Sequence, residues 1–205
     1  MIRPRRVRHA PDEETVFLNV PYDPAYEPIF IALVAALLAL GRKPRCTLEL
    51  TDRGQGRPTR IFGLLEQSRV SFHDLSRVGL PARFNMPFEF GLAYALNRYW
   101  GRHDWYVLEA RAFRIQKTLS DLKVTEEHEH RNRPTIAISC VLDALGTPRR
   151  DPDPRAVNKL RQKMSVVAAE VKHQYRRPTI FYRAAFRQFL TVSMALARRA
   201  GFIRL

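Results

Sequence analysis

The sequence has few cysteines and no long hydrophobic run, and each shortage excludes a class of protein. Cysteine occurs twice in 205 residues, at Cys46 and Cys140, so neither a disulfide framework nor a zinc site of paired cysteines is indicated. The longest apolar run, residues 29–40, has 12 residues, fewer than the roughly 20 that cross a bilayer as a helix. The basic start of the chain has no apolar leader segment. We therefore expect a cytoplasmic protein that does not bind membranes.

The common sequence signatures of nucleotide and metal sites are also missing. No GxGxxG, P-loop or HExxH pattern occurs. The run Glu126-Glu127-His128-Glu129-His130 superficially resembles a metal cluster, but its density of charge is typical of a solvated loop, which is the interpretation we prefer. We therefore expect no metal and no bound cofactor.

Positive charge is abundant and lies at the two ends of the chain. The net charge is +15; residues 1–10 hold four arginines and no acid, and residues 149–205 hold 14 Lys or Arg against three acids. The residues between them are neutral overall. Basic segments of this kind bind anionic partners through phosphate contacts, so we expect a nucleic acid or a protein partner at these ends. A solvated basic surface is the alternative.

Hydrophobic patterning predicts alternating strands and helices in the neutral body. Runs rich in β-branched and aromatic residues indicate strands, and longer apolar runs indicate helices packed on a sheet. This alternation favours a parallel α/β sheet. The predicted strands are 15–20, 45–50, 70–75 and 105–108; the predicted helices are 26–40, 59–67, one beginning at 85, and 113–122, while 134–145 is either a helix or a strand and helix.

A proline-rich segment, residues 147–154, separates this body from a basic extension. We predict a basic N-terminal arm (1–14), an α/β domain (15–147) and a C-terminal helical extension (148–205) with helices at 155–174 and 182–200. Two helices in fewer than 60 residues bury too little surface to be stable alone. The pair should therefore pack on the body or on another chain, and we expect a homo-oligomer.

Polar residues follow the ends of three predicted strands. In an open parallel sheet, ligands bind in the crevice at the carboxyl ends of the strands. The convergence predicts a site for a nucleotide or nucleoside. The candidate residues are Asn19, Tyr22, Asp23, Glu49, Asp74, Arg77, Asn85 and Glu89.

Glu89 stands out because it lies within an apolar run, in the stretch RFNMPFEFG at residues 83–91. If Asn85 is the N-cap of the helix, Glu89 is one position too late for a capping box. A stabilising interaction with the helix dipole and a role in a binding crevice both remain open. Asp74 has two interpretations as well, a contact with ribose hydroxyls or a local pair with Arg77. His73 is better explained as a core residue than as a catalytic base.

Four stretches resemble a known family: VFLNVPYDPAYEPIFIALVAAL, PRCTLEL, HDLSRV and RFNMPFEFGLAYAL. They are similar to a group of bacterial TIR-like proteins, which is in turn similar to nucleoside 2-deoxyribosyltransferases and TIR-type NAD glycohydrolases. The resemblance covers residues 15–147 and implies a flavodoxin/Rossmann-like sheet. It also implies that Glu89 is the catalytic glutamate, that Asp74 contacts the ribose and that Tyr22 lies near the base.

This resemblance implies a nucleotide or nucleoside N-glycosidase, with NAD as a candidate substrate and a role in bacterial defence. The carboxylate would stabilise positive charge that develops at C1′ of the sugar, and the helix N-terminus should keep Glu89 ionised. A non-catalytic nucleotide-sensing module, whose basic termini bind nucleic acid or protein, is the alternative. A deoxyribosyltransferase is a third and weaker possibility.

Overall fold

A computed structural model describes residues 11–50, 56–77, 84–112, 117, 119, 127–147 and 151–203. Within these residues the chain forms five strands and six α-helices. The strands are β1 (Asp12–Asn19), β2 (Lys43–Cys46), β3 (Ser68–Asp74), β4 (Asp104–Glu109) and β5 (Glu127–Glu129). The helices are α1 (Glu27–Ala39), α2 (Arg57–Gln67), α3 (Asn85–Trp100), α4 (Pro134–Leu145), α5 (Pro154–Tyr175) and α6 (Arg183–Arg199).

The described strands form one sheet in the order β2-β1-β3-β4-β5, and all neighbouring strands are parallel. The predicted parallel α/β sheet of the flavodoxin/Rossmann-like class is therefore confirmed. The chain moves from β1 to one edge of the sheet and then returns past β1 to β3. Such a reversal opens a crevice at the carboxyl ends of β1 and β3.

The second predicted strand is shorter than expected. It ends at Cys46, and Thr47–Glu49 form a 3-10 turn instead of continuing the strand. The carboxylate of Glu49 closes this turn by accepting a hydrogen bond from the backbone N–H of Cys46 at 2.9 Å, and Arg45 donates to the same carboxylate at 2.5 Å. A side chain that caps its own turn competes with strand pairing, which explains why β2 stops.

The prediction of a solvated loop at residues 126–130 is wrong. Glu127–Glu129 form β5, which pairs in parallel with β4, and His130 immediately after it is fully buried. Backbone pairing with β4 and the burial of His130 stabilise this segment as a strand. The high local charge alone had suggested a loop. The predicted helix at 113–122 falls outside the described residues except for positions 117 and 119.

Helix α1 is the centre of the core. Apart from its exposed Pro28 its residues are buried, because the sheet covers one side and α4, α5 and α6 cover the others. Gly41, just beyond its C-terminus, has φ 70°, a left-handed conformation that glycine adopts without a steric penalty. The length of α1 is 13 residues. Among the described residues, no helix has the length and apolar composition that crossing a bilayer requires.

The two C-terminal helices pack on α1 and share its hydrophobic core. A polar contact reinforces this packing: the buried carboxylate of Glu27 accepts hydrogen bonds from Lys172 Nζ at 2.6 Å and from the backbone N–H of Ile180 at 2.9 Å. The ring of Phe181 also contacts Phe30 and Tyr22, with centroids 5.4 and 5.3 Å apart. The basic extension is therefore part of the fold that supports the crevice.

Candidate functional site

A pocket of about 400 Å³ lies at the carboxyl ends of β1 and β2, between the beginnings of α2 and α3. This volume falls in the range of small-molecule sites, roughly 300–1,000 Å³. The pocket adjoins the crevice that the sheet order creates, because both include the end of β1 and the pocket also includes the start of α3, the helix that follows β3. The described residues that line the pocket are Asn19, Val20, Tyr22, Thr47, Arg57, Phe84, Asn85, Met86 and Glu89.

Glu89 is the acidic group in this lining. Its side chain is only 4% exposed, and none of the hydrogen bonds or ion pairs between described residues involves it. Burial raises the pKa of Glu89 to about 7, an effect that the positive charge of Arg57 partly offsets. A carboxyl group with this pKa is half ionised near neutral pH, which is a property of groups that transfer protons or respond to a charged ligand.

The expected stabilisation of ionised Glu89 by the helix N-terminus is wrong. The N-cap of α3 is Phe84 and not Asn85, so Asn85 is the first helical residue and Glu89 is the fifth. The favourable effect of a helix dipole on a carboxylate falls off within the first turn. Desolvation therefore outweighs the dipole, and the pKa of Glu89 is raised instead of lowered.

A tyrosine and an asparagine that the sequence predicted as site residues, Tyr22 and Asn19, also line the pocket. The hydroxyl of Tyr22 accepts hydrogen bonds from the backbone N–H and the hydroxyl of Thr47, at 3.2 and 3.0 Å. The amide nitrogen of Asn19 lies 3.0 Å from Nδ1 of His73 and donates to the backbone carbonyl of Met86 at 3.2 Å. These contacts fix both side chains in place before any ligand binds, and such preorganisation lowers the entropic cost of binding.

Asp74 does not line the pocket, contrary to the predicted contact with ribose. Its side chain is fully buried, and both carboxylate oxygens are in use. The hydroxyl of Tyr26 donates to Oδ2 at 2.5 Å, Nε2 of His130 lies 2.9 Å from the same oxygen, and the backbone N–H of Ser76 donates to Oδ1 at 2.8 Å. Asp74 therefore joins the ends of β3 and β5 to the start of α1.

Three further predicted site residues are also engaged outside the pocket lining. The guanidinium of Arg77 donates two hydrogen bonds to the carboxylate of Asp23, at 3.0 and 2.9 Å. Arg77 consequently pairs with Asp23. The local pair between Arg77 and Asp74, which was one interpretation of the sequence, is not formed. Glu49 closes the turn after β2.

Among the described residues no group of three or more His, Cys, Asp or Glu side chains has the arrangement of a metal site.

Other lining residues were not identified from the sequence. Arg57 begins α2 and supplies a positive charge near Glu89; only its place just before a predicted helix was a signal. Phe84 lines the pocket and is 79% exposed. An exposed aromatic ring beside a pocket provides a surface on which a flat ligand can stack.

The fold and the pocket define the class: an α/β protein whose described strands form a parallel sheet of the 2-1-3-4-5 order, with a pocket at the carboxyl ends of β1 and β2. No family model, no curated protein and no solved structure matches this chain.

Proposed function

We propose that this protein is a nucleotide or nucleoside N-glycosidase in which the ionised carboxylate of Glu89 acts at C1′ of a ribose, with NAD as a candidate substrate. The observation that carries the proposal is the position of Glu89. It is a buried carboxyl group at the wall of a pocket of about 400 Å³, its pKa is about 7, and no hydrogen bond or ion pair with another described residue involves it.

The chemistry of N-glycosidic cleavage suits a carboxyl group in this environment. When the bond between C1′ and nitrogen breaks, its electron pair leaves with the base and positive charge develops on the sugar. A carboxylate next to the sugar stabilises that charge. With NAD the departing nicotinamide is neutral, so no general acid is needed. Water then adds to C1′ and loses a proton, which gives ADP-ribose, nicotinamide and one proton.

The raised pKa of Glu89 increases the advantage of a cationic substrate. An isolated buried carboxylate is destabilised by desolvation, and a positive charge placed next to it relieves part of that cost. The pyridinium ribose of NAD carries such a charge. Binding of this group therefore favours the ionised form of Glu89, which is the form that the reaction uses.

The neighbours of Glu89 have complementary roles in the proposal. The ring of Tyr22 and the exposed ring of Phe84 offer apolar surface for a base, and Arg57 offers a cation for a phosphate group. Asn19 and Asn85 supply amide groups for sugar hydroxyls. Asp74 has no part in this assignment, because it lies outside the pocket.

The test is the release of nicotinamide from NAD, or of a free base from nucleosides, by the purified full-length chain, measured by chromatography. Glu89→Gln should abolish the release, whereas Glu66→Gln on α2, outside the pocket, should leave it unchanged. kcat/KM should rise as pH increases through about 7, because it reports the ionisation of the free protein and the ionised form of Glu89 is active. A rate that falls over this range would assign Glu89 as a general acid instead. Undiminished turnover in Glu89→Gln would overturn the proposal.

A second candidate function rests on the surface of α5. Arg155, Lys159 and Lys163 are exposed at intervals of four residues, so they share one face of the helix; we name them the α5 basic stripe. Among the described residues none of them forms an ion pair, unlike Lys172, which pairs with Glu27. We propose that this stripe binds a nucleic acid. A protein that binds a nucleotide and nucleic acid and releases no base would fit the sensing module that is the alternative to the N-glycosidase.

A further inference from the structure

A chain of hydrogen bonds runs from the pocket into the sheet, along the face that α2 and α3 cover. Nδ2 of Asn19 lies 3.0 Å from Nδ1 of His73, and Nε2 of His73 lies 2.8 Å from Oγ of Ser71. The same Oγ lies 2.7 Å from Nε2 of His103, whose Nδ1 lies 2.9 Å from the backbone carbonyl oxygen of Ser68. All five residues are buried, at 3% exposure or less.

The backbone carbonyl of Ser68, at the far end of this series of hydrogen bonds, determines the direction of each bond in the series. A backbone carbonyl oxygen only accepts hydrogen bonds, so Nδ1 of His103 carries the hydrogen that reaches Ser68. Nε2 of neutral His103 is then an acceptor, and the hydroxyl of Ser71 donates to it. The oxygen of Ser71 accepts in turn from Nε2–H of His73, and Nδ1 of His73 accepts from the amide nitrogen of Asn19.

A second carbonyl supports the same direction at the pocket end. The amide nitrogen of Asn19 also donates to the backbone oxygen of Met86 at 3.2 Å, so both of its hydrogens are used. Rotating the amide by a half turn would place the oxygen of Asn19 against the oxygen of Met86 and against Nδ1 of His73. Two pairs of acceptors would then face each other without a hydrogen.

The geometry points to Asn19 as a specificity-determining residue whose carbonyl oxygen is presented to the pocket as a fixed hydrogen-bond acceptor, with His73, Ser71 and His103 as the residues that position it. The ligand must then place a donor, such as a sugar hydroxyl, against Asn19. In naming the ribose of an N-glycoside as the source of that hydroxyl, this inference rests on the proposed function.

Burial supports the neutral state of both histidines. Desolvation, with a smaller contribution from His103, lowers the pKa of His73 to about 3, and desolvation also lowers the pKa of His103. A protonated His73 would point a second N–H at the amide nitrogen of Asn19. The strand pairing is consistent with this arrangement, because Asn19 lies beside His73 in the β1–β3 register, and Ser71 is two positions earlier on the same face of β3.

The test of the direction is independent of any ligand. The full-length protein is labelled with ¹⁵N in histidine and asparagine, and the ring nitrogens are observed by NMR. His73 should carry its hydrogen on Nε2 with no change between about pH 6 and pH 8, because its pKa is about 3. At about pH 8 the neutral ring of His103 should carry its hydrogen on Nδ1. A coupling across the hydrogen bond should connect the amide nitrogen of Asn19 to Nδ1 of His73. An Nδ1–H tautomer of His73 would overturn the inference.

Ser71→Ala tests whether the chain matters for recognition. Ser68→Ala is the matched control, because it removes a buried hydroxyl from the same strand, the donor to the carbonyl of Leu64, and leaves the backbone oxygen that His103 uses. Both changes are made in Glu89→Gln, which prevents turnover. The probes are NAD and its analogues that lack the 2′- or the 3′-hydroxyl of the nicotinamide ribose, with binding measured by calorimetry.

One of the two analogues should bind more weakly than NAD to the parent Glu89→Gln protein. Ser71→Ala should reduce that preference by roughly threefold to tenfold, the value of about one hydrogen bond, and Ser68→Ala should leave it intact. An unchanged preference in Ser71→Ala would overturn the role of the chain in recognition. Failure of every probe to bind would overturn NAD as the substrate and the role of Asn19 in recognising its ribose, whereas the NMR result would still decide the orientation of Asn19.

Discussion

The buried carboxyl group of Glu89 should make the stability of this protein depend on pH in an unusual direction. The pKa of Glu89 is about 7 in the folded protein against an ordinary value of 4.5, so the folded state binds the proton more tightly than the unfolded state. Stability contributed by such a group is complete below about pH 4.5 and declines as pH rises towards 7. Most salt-bridged carboxylates behave in the opposite way.

The size of the effect follows from the difference between the two pKa values. At about 1.4 kcal/mol per pH unit, ionising Glu89 in the folded state costs about 3 kcal/mol above neutral pH. Most of this cost, about 2.5 kcal/mol, should develop between pH 5 and pH 8. It is a large share of the 5–15 kcal/mol, roughly, that stabilises a typical domain.

Urea unfolding of the wild type and of Glu89→Gln, at several values between pH 5 and pH 8, measures this cost. The amide has the shape of the carboxyl group and no charge, so the difference in unfolding free energy between the two proteins should grow with pH by about 2.5 kcal/mol. Other titrating groups cancel in the difference. Glu170→Gln, at an exposed position of α5, serves as the control. A difference that stays constant with pH would refute the burial of a titrating carboxyl group at position 89.

Two other features lead to predictions. Tyr26→Phe removes the buried donor to Asp74 and should lower the free energy of unfolding by about 2 kcal/mol. The control Tyr99→Phe, at an 84% exposed position, should change it by less than about 0.5 kcal/mol. Equal losses of the two variants in urea unfolding would contradict the hydrogen-bond network around Asp74. Neutralising the α5 basic stripe should weaken binding to duplex DNA and reduce the slope of log affinity against log salt by roughly 3, and salt-independent binding would exclude a phosphate contact. Substitution is the appropriate change here, because truncation near residue 150 would uncover the core of α1.

The order of strands and helices was accessible from the sequence because apolar periodicity reports directly which faces are buried. The continuous apolar run of residues 29–40 predicted a helix covered on every side, and α1 is such a helix. Glu49 shows where this reasoning ends. Its position after a strand suggested a site residue, but its carboxylate caps the local turn, an interaction that periodicity does not report.

In the pocket, the sequence correctly drew attention to residues at strand ends and to one carboxylate in an apolar run. Asn19, Tyr22, Asn85 and Glu89 do lie together. The charge state of Glu89 was not accessible, since it depends on the solvent that α2 and α3 exclude. A difference of one position in the helix start, combined with this burial, reverses the expected direction of its pKa.

By itself, the sequence determined the α/β class, the basic character of the ends and the neighbourhood of the crevice, because these follow from local composition and from the regular alternation of elements. Only the tertiary structure decided which polar side chains meet. Asp74 binds Tyr26, 48 residues before it, and His130, 56 residues after it. The series of hydrogen bonds from Asn19 to His103 likewise connects residues in or next to three strands, β1, β3 and β4. Such contacts depend on strand order and register, which bring distant residues within 3 Å of each other and leave no periodic signal in the sequence.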